Sequence, residues 1–235
     1  STNDPAAFPA AIASLAVTGG SIYVPPGSYL LDTVTLTAGV NLFGAGHNST
    51  ILLQNTITAA GYGTLFADSG SASSYIDGIR IADLTINGRV ATLAFSAQNH
   101  LVALNGVRNC TIERVQLLGF RGDGLYLGSG LTGGVTIRHN FNVTVSNCIF
   151  DGVNKENRNA LTVIDATQLL VTGNLFTRCC KTGSGVAGID IEPDSLTATQ
   201  LRDIVIENNR FTDIGASAAG MFAINFSVIG QSQVT

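Results

Sequence analysis

The sequence predicts an all-β chain wound as a solenoid of parallel coils, with one short helix closing its start. Three observations carry that expectation. One nine-residue phrase recurs along the chain, later copies are each followed by a second short strand, and helical periodicity is confined to the beginning.

The helix is expected over residues 4–17. Asn3 or Asp4 can cap it, Pro5 suits a first helical turn, and Phe8, Ile12 and Leu15 share one face before Gly19 and Gly20 stop it. From Ser21 onward, short β-branched and aliphatic runs alternate with Gly, Asn and Asp, which is strand and turn chemistry. The recurring phrase reads RIADLTING from 80, TIERVQLLG from 111, TVSNCIFDG from 144, LVTGNLFTR from 170 and VIENNRFTD from 205. Stacking the copies puts Ile81, Ile112, Val145, Val171 and Ile206 in one column. A second column holds Leu84, Val115, Cys148, Asn174 and Asn209, and a third Ile86, Leu117, Phe150, Phe176 and Phe211. Near-identical strand phrases separated by inserts of unequal length are what a solenoid with loops produces. The second strands are GLYLG from 124, ALTVI from 160, GIDIE from 188 and AINFS from 223. Asn147, Asn208 and Asn209 are expected at the bends, because Asn tolerates left-handed backbone.

The 235 residues are read as a single domain, 1–235, with coils over 21–229. Charged residues make up only 12% of the chain against 45% apolar, so most of the backbone must be sheet-paired or buried. A net charge of -4 argues against nucleic acid as a partner. No apolar run approaches the ~18 residues of a membrane helix, so no membrane partner is expected. Cys110, Cys148, Cys179 and Cys180 have neither metal-ligand nor disulfide-framework spacing and are read as buried thiols. His47, His100 and His139 are scattered, without metal-ligand spacing. No charged-then-apolar leader opens the chain.

The opening AAFPAAIASLAVTGGSIYVPPGSYLL, followed by LTAGVNLFGAGHNSTIL, resembles the start of right-handed parallel β-helix proteins of the pectate-lyase-like superfamily. The coil phrases and GIDIEP are most similar to the tailspikes and depolymerases of bacteriophages. That resemblance implies a right-handed parallel β-helix with an N-terminal capping helix. It also implies a bacterial surface glycan (capsule or lipopolysaccharide) as substrate, a homotrimer, and an extracellular, virion tail-associated location or, alternatively, secretion. The last strand has no polar cap, so coils beyond residue 235 or a partner chain are expected to cover it. Lyase, epimerase and polygalacturonase signatures are missing, so the resemblance does not carry the reaction over.

One segment concentrates charge: GVAGIDIEPDS, residues 185–195. Strand alternation sends Ile189 and Ile191 inward and Asp190 and Glu192 outward, onto an outer wall whose polar, aromatic-containing strip is read as a glycan track. Carboxylates at i and i+2 have Cα atoms about 6.5–7 Å apart, which suits acid–base glycoside hydrolysis. Glu192 is assigned as acid and Asp190 as base, with Asp194 orienting either. Tyr126 and Asn225 fall beside Asp190 in the stacked frame, and Arg121, Lys155 and Arg158 lie in loops entering the same strand column, so all are expected to contact substrate. A hydrolase of this kind needs no cofactor and no metal. Two other readings remain open. One is a polysaccharide lyase acting on a uronate, with Ca²⁺ on Asp190, Glu192 and Asp194 and a base among Lys155, Arg158, Tyr126 and Lys181. The other is an adhesin that binds glycan without cutting it.

Overall fold

The computed structural model describes residues 6–55, 63–71, 73–132, 135–182, 186–194, 199–215 and 221–227. The chain begins with a helix, Ala7–Leu15, whose Phe8 and Ile12 are buried. Phe8 meets Tyr29 edge to face at 6.0 Å, which docks the helix on the first coil. The helix is shorter than the expected 4–17. Asn3 and Asp4 lie outside the described residues, and the N-cap position is Ala6, which has no side chain to bond the helix start. Gly19 closes the other end by donating its N–H to the Leu15 carbonyl at 2.8 Å.

Three parallel sheets follow, giving seven coils among the described residues, and in the third coil the first sheet's strand is split into Ile76–Asp77 and Arg80–Ala82. Each coil visits the sheets in the same order. The first sheet runs from Gly20–Tyr23 to Leu201–Glu207, the second from Gly27–Leu31 to Arg210–Thr212, and the third from Val34–Thr35 to Met221–Phe226. This is a right-handed parallel β-helix, as expected. Its register reproduces the sequence columns, pairing Ile81, Ile112, Val145, Val171 and Ile206 in turn, and likewise Ile86, Leu117, Phe150, Phe176 and Phe211. Two inserts were not foreseen. A short helix, Val90–Leu93, follows left-handed Arg89, and an antiparallel hairpin pairs Gly130–Thr132 with Val135–Arg138. Among the described residues no helix is long and apolar enough to cross a membrane.

The corners explain the Gly and Asn that separate the strand runs. Just before the first sheet's strands, or within their opening residues in the later coils, Gly19, Gly39, Gly78, Asn109, Asn142, Gln168 and Asp203 occupy equivalent positions, all with φ between +50° and +73°. Glycine adopts this conformation without strain, and Asn and Asp tolerate it better than most residues. Between the first and second sheets, Asp83, Arg114, Asn147, Gly173 and Asn208 do the same. Asn209 does not sit in such a bend, contrary to expectation. It continues a ladder in which Asn174 donates to Val145 at 3.0 Å and to Asn209 at 2.9 Å, while Asn209 donates to Val171 at 2.8 Å. Asn174 also accepts the Cys148 N–H at 2.8 Å, so one buried amide joins three coils. Asn174→Ala strands these groups and is expected to cost about 1–3 kcal/mol, measurable by thermal unfolding.

All four cysteines are free and buried. Burial pushes the thiols of Cys110 and Cys148 up to about 12. Because the thiolate is the reactive species, the folded protein is expected to resist alkylation by iodoacetamide at pH 8. Fast labelling before unfolding would contradict that burial.

Candidate functional site

The third sheet presents an outward row built from one residue per coil. Ala103, Tyr126, Thr162, Asp190 and Asn225 are paired in register, while Ile189 and Ile191 point into the core. A second outward row follows two residues later. Glu192 donates its N–H to Val163 at 2.9 Å, Ile164 donates to Leu127 at 2.9 Å and Ser227 donates to Ile191 at 2.8 Å, which aligns Ile164, Glu192 and Ser227. The stacking frame read from the sequence therefore holds.

The outer wall is not uniformly open, and Asp190 is enclosed within it. Asp190 points away from the core yet is only 2% exposed. Its Oδ1 accepts Asn225 Nδ2 at 2.9 Å and its Oδ2 accepts Asn159 Nδ2 at 3.1 Å. The wall around it is a third column, two residues upstream of each strand: His100, Asp123 and Asn159, all buried. Asp123 Oδ2 accepts the Thr162 hydroxyl at 3.1 Å and its Oδ1 the Asn159 backbone N–H at 3.1 Å. Thr162 in turn accepts from Asn159 at 2.9 Å, so Asp123 and Asp190 share one amide–hydroxyl network. His100 brings Nδ1 within 3.1 Å of Asp123 Oδ2. Its ring lies flat on Tyr126, with centroids 4.3 Å apart and planes 6° from parallel. Gly124 allows this column to pack closely, since a Cβ there would lie 2.6 Å from the Ala160 carbonyl.

Glu192 is half-buried and Asp194 exposed, at the outer lip of this network. Arg158 is the one cation of the set that reaches it, with Nε 3.7 Å from Asp123 Oδ1. Arg121 instead donates to the Ala94 carbonyl at 2.7 Å, and Lys155 is exposed in its turn. Among the described residues neither meets the carboxylates, and Arg121 is held away because the loop after Gly119 bonds to the segment around the Val90–Leu93 insert. Sequence reasoning had set His100 aside as scattered and left Asn159 unranked. Extending the strand alignment two residues upstream places His100, Asp123 and Asn159 in one column, and that is the signal that finds them.

The electrostatics raise both acids. Burial raises the pKa of Asp190, the Asn225 and Asn159 amides pull it back, and Asp123 pushes it up again. Burial also raises Glu192, and Asp190 and Asp194 add repulsion that Arg158 partly offsets. Burial, together with Asp194, Asp123 and Glu192, holds the Tyr126 phenol above its ordinary range. A carboxyl with a raised folded pKa binds more protons folded than unfolded, so ionising it costs stability. Stability is therefore expected to fall as pH rises from the ordinary carboxyl range through the raised values. Glu192→Gln removes part of that penalty, so its melting temperature should exceed the wild type's at pH 7 and match it at pH 4. An equal or lower value at pH 7 would contradict the repulsion.

Comparison with known proteins now bears on this site. Residues 1–204 match the family described as rhamnogalacturonase A/epimerase, pectate lyase-like. The chain belongs to that family. No curated protein matches the chain by sequence. Among solved structures, this family member is similar to tailspike protein gp49 of Acinetobacter baumannii bacteriophage Fri1, a capsular polysaccharide depolymerase, with a TM-score of 0.69 and 16% identity over 100% of this chain and 41% of that one. Pre-mature gene product 12 of bacteriophage phi29 gives a TM-score of 0.61 at 15% identity, over 96% of this chain and 32% of that one. A putative glycosyl hydrolase of Parabacteroides merdae gives 0.51 at 13% identity, over 97% and 91%. At these identities the likeness is one of fold. The chain spans less than half the length of either phage protein.

Proposed function

We propose that the protein is a depolymerase that hydrolyses glycosidic bonds of a bacterial surface glycan, with Glu192 as proton donor and Asp190 as base. The observation that carries this reading is the asymmetry of the pair. Asp190 is enclosed, and its two amide N–H donors lower a pKa that burial nonetheless raises overall. Glu192 stands at the more open lip, raised by burial and by repulsion from Asp190, Asp194 and Asp123, where a leaving oxygen can reach it. Hydrolysis with inversion asks for that division of labour, an acid that reaches the leaving oxygen and a carboxylate that activates water. An enclosed Asp190 suits water, which is small enough to reach it, better than a sugar ring.

In this reading Tyr126, flat against His100, offers its ring edge and phenol to a sugar, and Arg158 and Asn225 flank it. Asp194 orients Glu192 through charge. Lys155 and Arg121 contact only an extended polymer, at the margin of the groove. The Ca²⁺-dependent lyase alternative fits less well, because the amides on Asp190 aim N–H donors at the space a cation would take. The family and the phage tailspike likeness support a glycan as substrate. The phage tailspike likeness supports a virion tail-associated protein outside the cell, and we propose that it acts there as a homotrimer.

The test is incubation with purified capsular polysaccharide and lipopolysaccharide from a panel of hosts. New reducing ends without ultraviolet-absorbing unsaturated sugars, unaffected by a chelator, are expected from wild type and lost in Asp190→Asn and Glu192→Gln. Unsaturated product would mean a lyase. Full activity in both variants would sink the assignment of the site.

A further inference from the structure

A second concave site lies around the corner from the carboxylates, over the entrance of the first sheet. Its cavity measures about 480 Å³. One row of that sheet crosses it coil by coil, because Asp77 pairs with Arg108, Arg108 with Phe141, Phe141 with Thr167 and Thr167 with Arg202. At ~4.8 Å per coil, four steps make a track of about 19 Å along the axis. We infer that this track binds an acidic saccharide, at a site separate from the one proposed for cleavage.

The chemistry of the row selects the ligand. Arg108 lies over the Tyr75 ring, 3.3 Å from its centroid, so its plane is fixed. Among the described residues no carboxylate pairs with Arg108. Its register partner Asp77 instead accepts the Asn109 amide at 2.8 Å. A planar, pre-set guanidinium with open donors matches a sugar carboxylate. Past the cavity lining the same row continues to Arg202, which adds a second cation along the track in a chain whose net charge is -4. Phe141, at the centre of the row, is 39% exposed and offers an apolar floor to the C–H face of a sugar ring.

The polar groups beside that floor are already aimed. Asp165, with a side chain sealed from solvent, meets His139 Nδ1 at 2.8 Å and accepts the Gln200 backbone N–H at 3.3 Å. Gln200 Nε2 lies 3.2 Å from His139 Nε2, which locks both side chains at the wall of the cavity. Locked side chains of this kind are the support a binding site needs.

Isothermal titration with tetragalacturonate, a sialic acid tetramer and maltotetraose, performed on Glu192→Gln protein to prevent turnover, tests this. At least one acidic oligosaccharide is expected to bind at least tenfold more tightly than the neutral one, and to weaken with added salt. Adding Arg108→Gln or Phe141→Ala should weaken it a further tenfold or more. Both side chains are partly exposed, so unchanged thermal unfolding should confirm that the variants fold. Equal binding of acidic and neutral sugars, no binding of either acid, or affinity untouched by both substitutions would overturn the inference. Those failures leave the cleavage proposal standing, because that proposal is read from reducing ends and from residues on a different sheet.

Discussion

Glu192→Gln is expected to lower turnover of the glycan by about 10²–10⁴-fold, the usual contribution of a positioned acid or base. Gln keeps the size of Glu and its place at the lip but cannot deliver a proton to a leaving oxygen. Binding should change little, so the loss should appear in kcat with KM nearly constant. The activity of the wild type should also decline as pH rises through the raised pKa of Glu192, and the residual activity of the variant should lack that limb. Asp190→Asn is expected to lose activity as well, with a structural component. An Asn there points a donor or a reduced acceptor set at two amides that now bond to a carboxylate, which costs about 1–3 kcal/mol. The Gln variant is thus the cleaner probe, because among the described residues Glu192 accepts no comparable pair of amides.

The largest stability loss is expected from Phe176→Ala, at about 3–5 kcal/mol. Phe176 is fully buried between Phe150 and Phe211, with ring centroids at 4.7 and 4.9 Å and planes within 13° of parallel. Removing the middle ring leaves a cavity that two neighbouring coils must share, and the paired strands above and below resist collapse into it. Val205→Ala provides the contrast. Val205 is 47% exposed on the same solenoid, and its loss should stay within about 0.5 kcal/mol. Urea unfolding of both variants measures the difference. A Phe176 variant as stable as the Val205 one would mean that the stacked column is not the core.

The core was legible because a parallel coil repeats its inward residues. Ile81 through Ile206 and Ile86 through Phe211 recur with steps of 31, 33, 26 and 35 residues, set by the starts at 80, 111, 144, 170 and 205, and strand register then fixes every neighbour. The same register placed Tyr126, Thr162 and Asn225 beside Asp190. The enclosure of Asp190 was not legible. Alternation says which way a side chain points, but not what stands beside it, and the enclosing residues come from the column at the mouth of each strand. There the chain leaves loops of unequal length, from the Val90–Leu93 insert to the turn at Lys155, so periodicity fades where His100, Asp123 and Asn159 assemble. Arg121 and Lys155 lie in those same loops, and their distance from the carboxylates was not legible either, since a loop residue near a site in sequence is free to turn away from it.

The central claim is that cleavage takes place on the third sheet, between an enclosed Asp190 and the acid at its lip. The most direct measurement is a crystal structure of Glu192→Gln protein soaked with oligosaccharides released from its glycan by the wild type. The account places a glycosidic oxygen within hydrogen-bond distance of the substituted side chain, a sugar ring against Tyr126, and an ordered water between that ring and Asp190. A sugar bound with no atom near the substituted position, and with Asp190 sealed from both sugar and water, would contradict it.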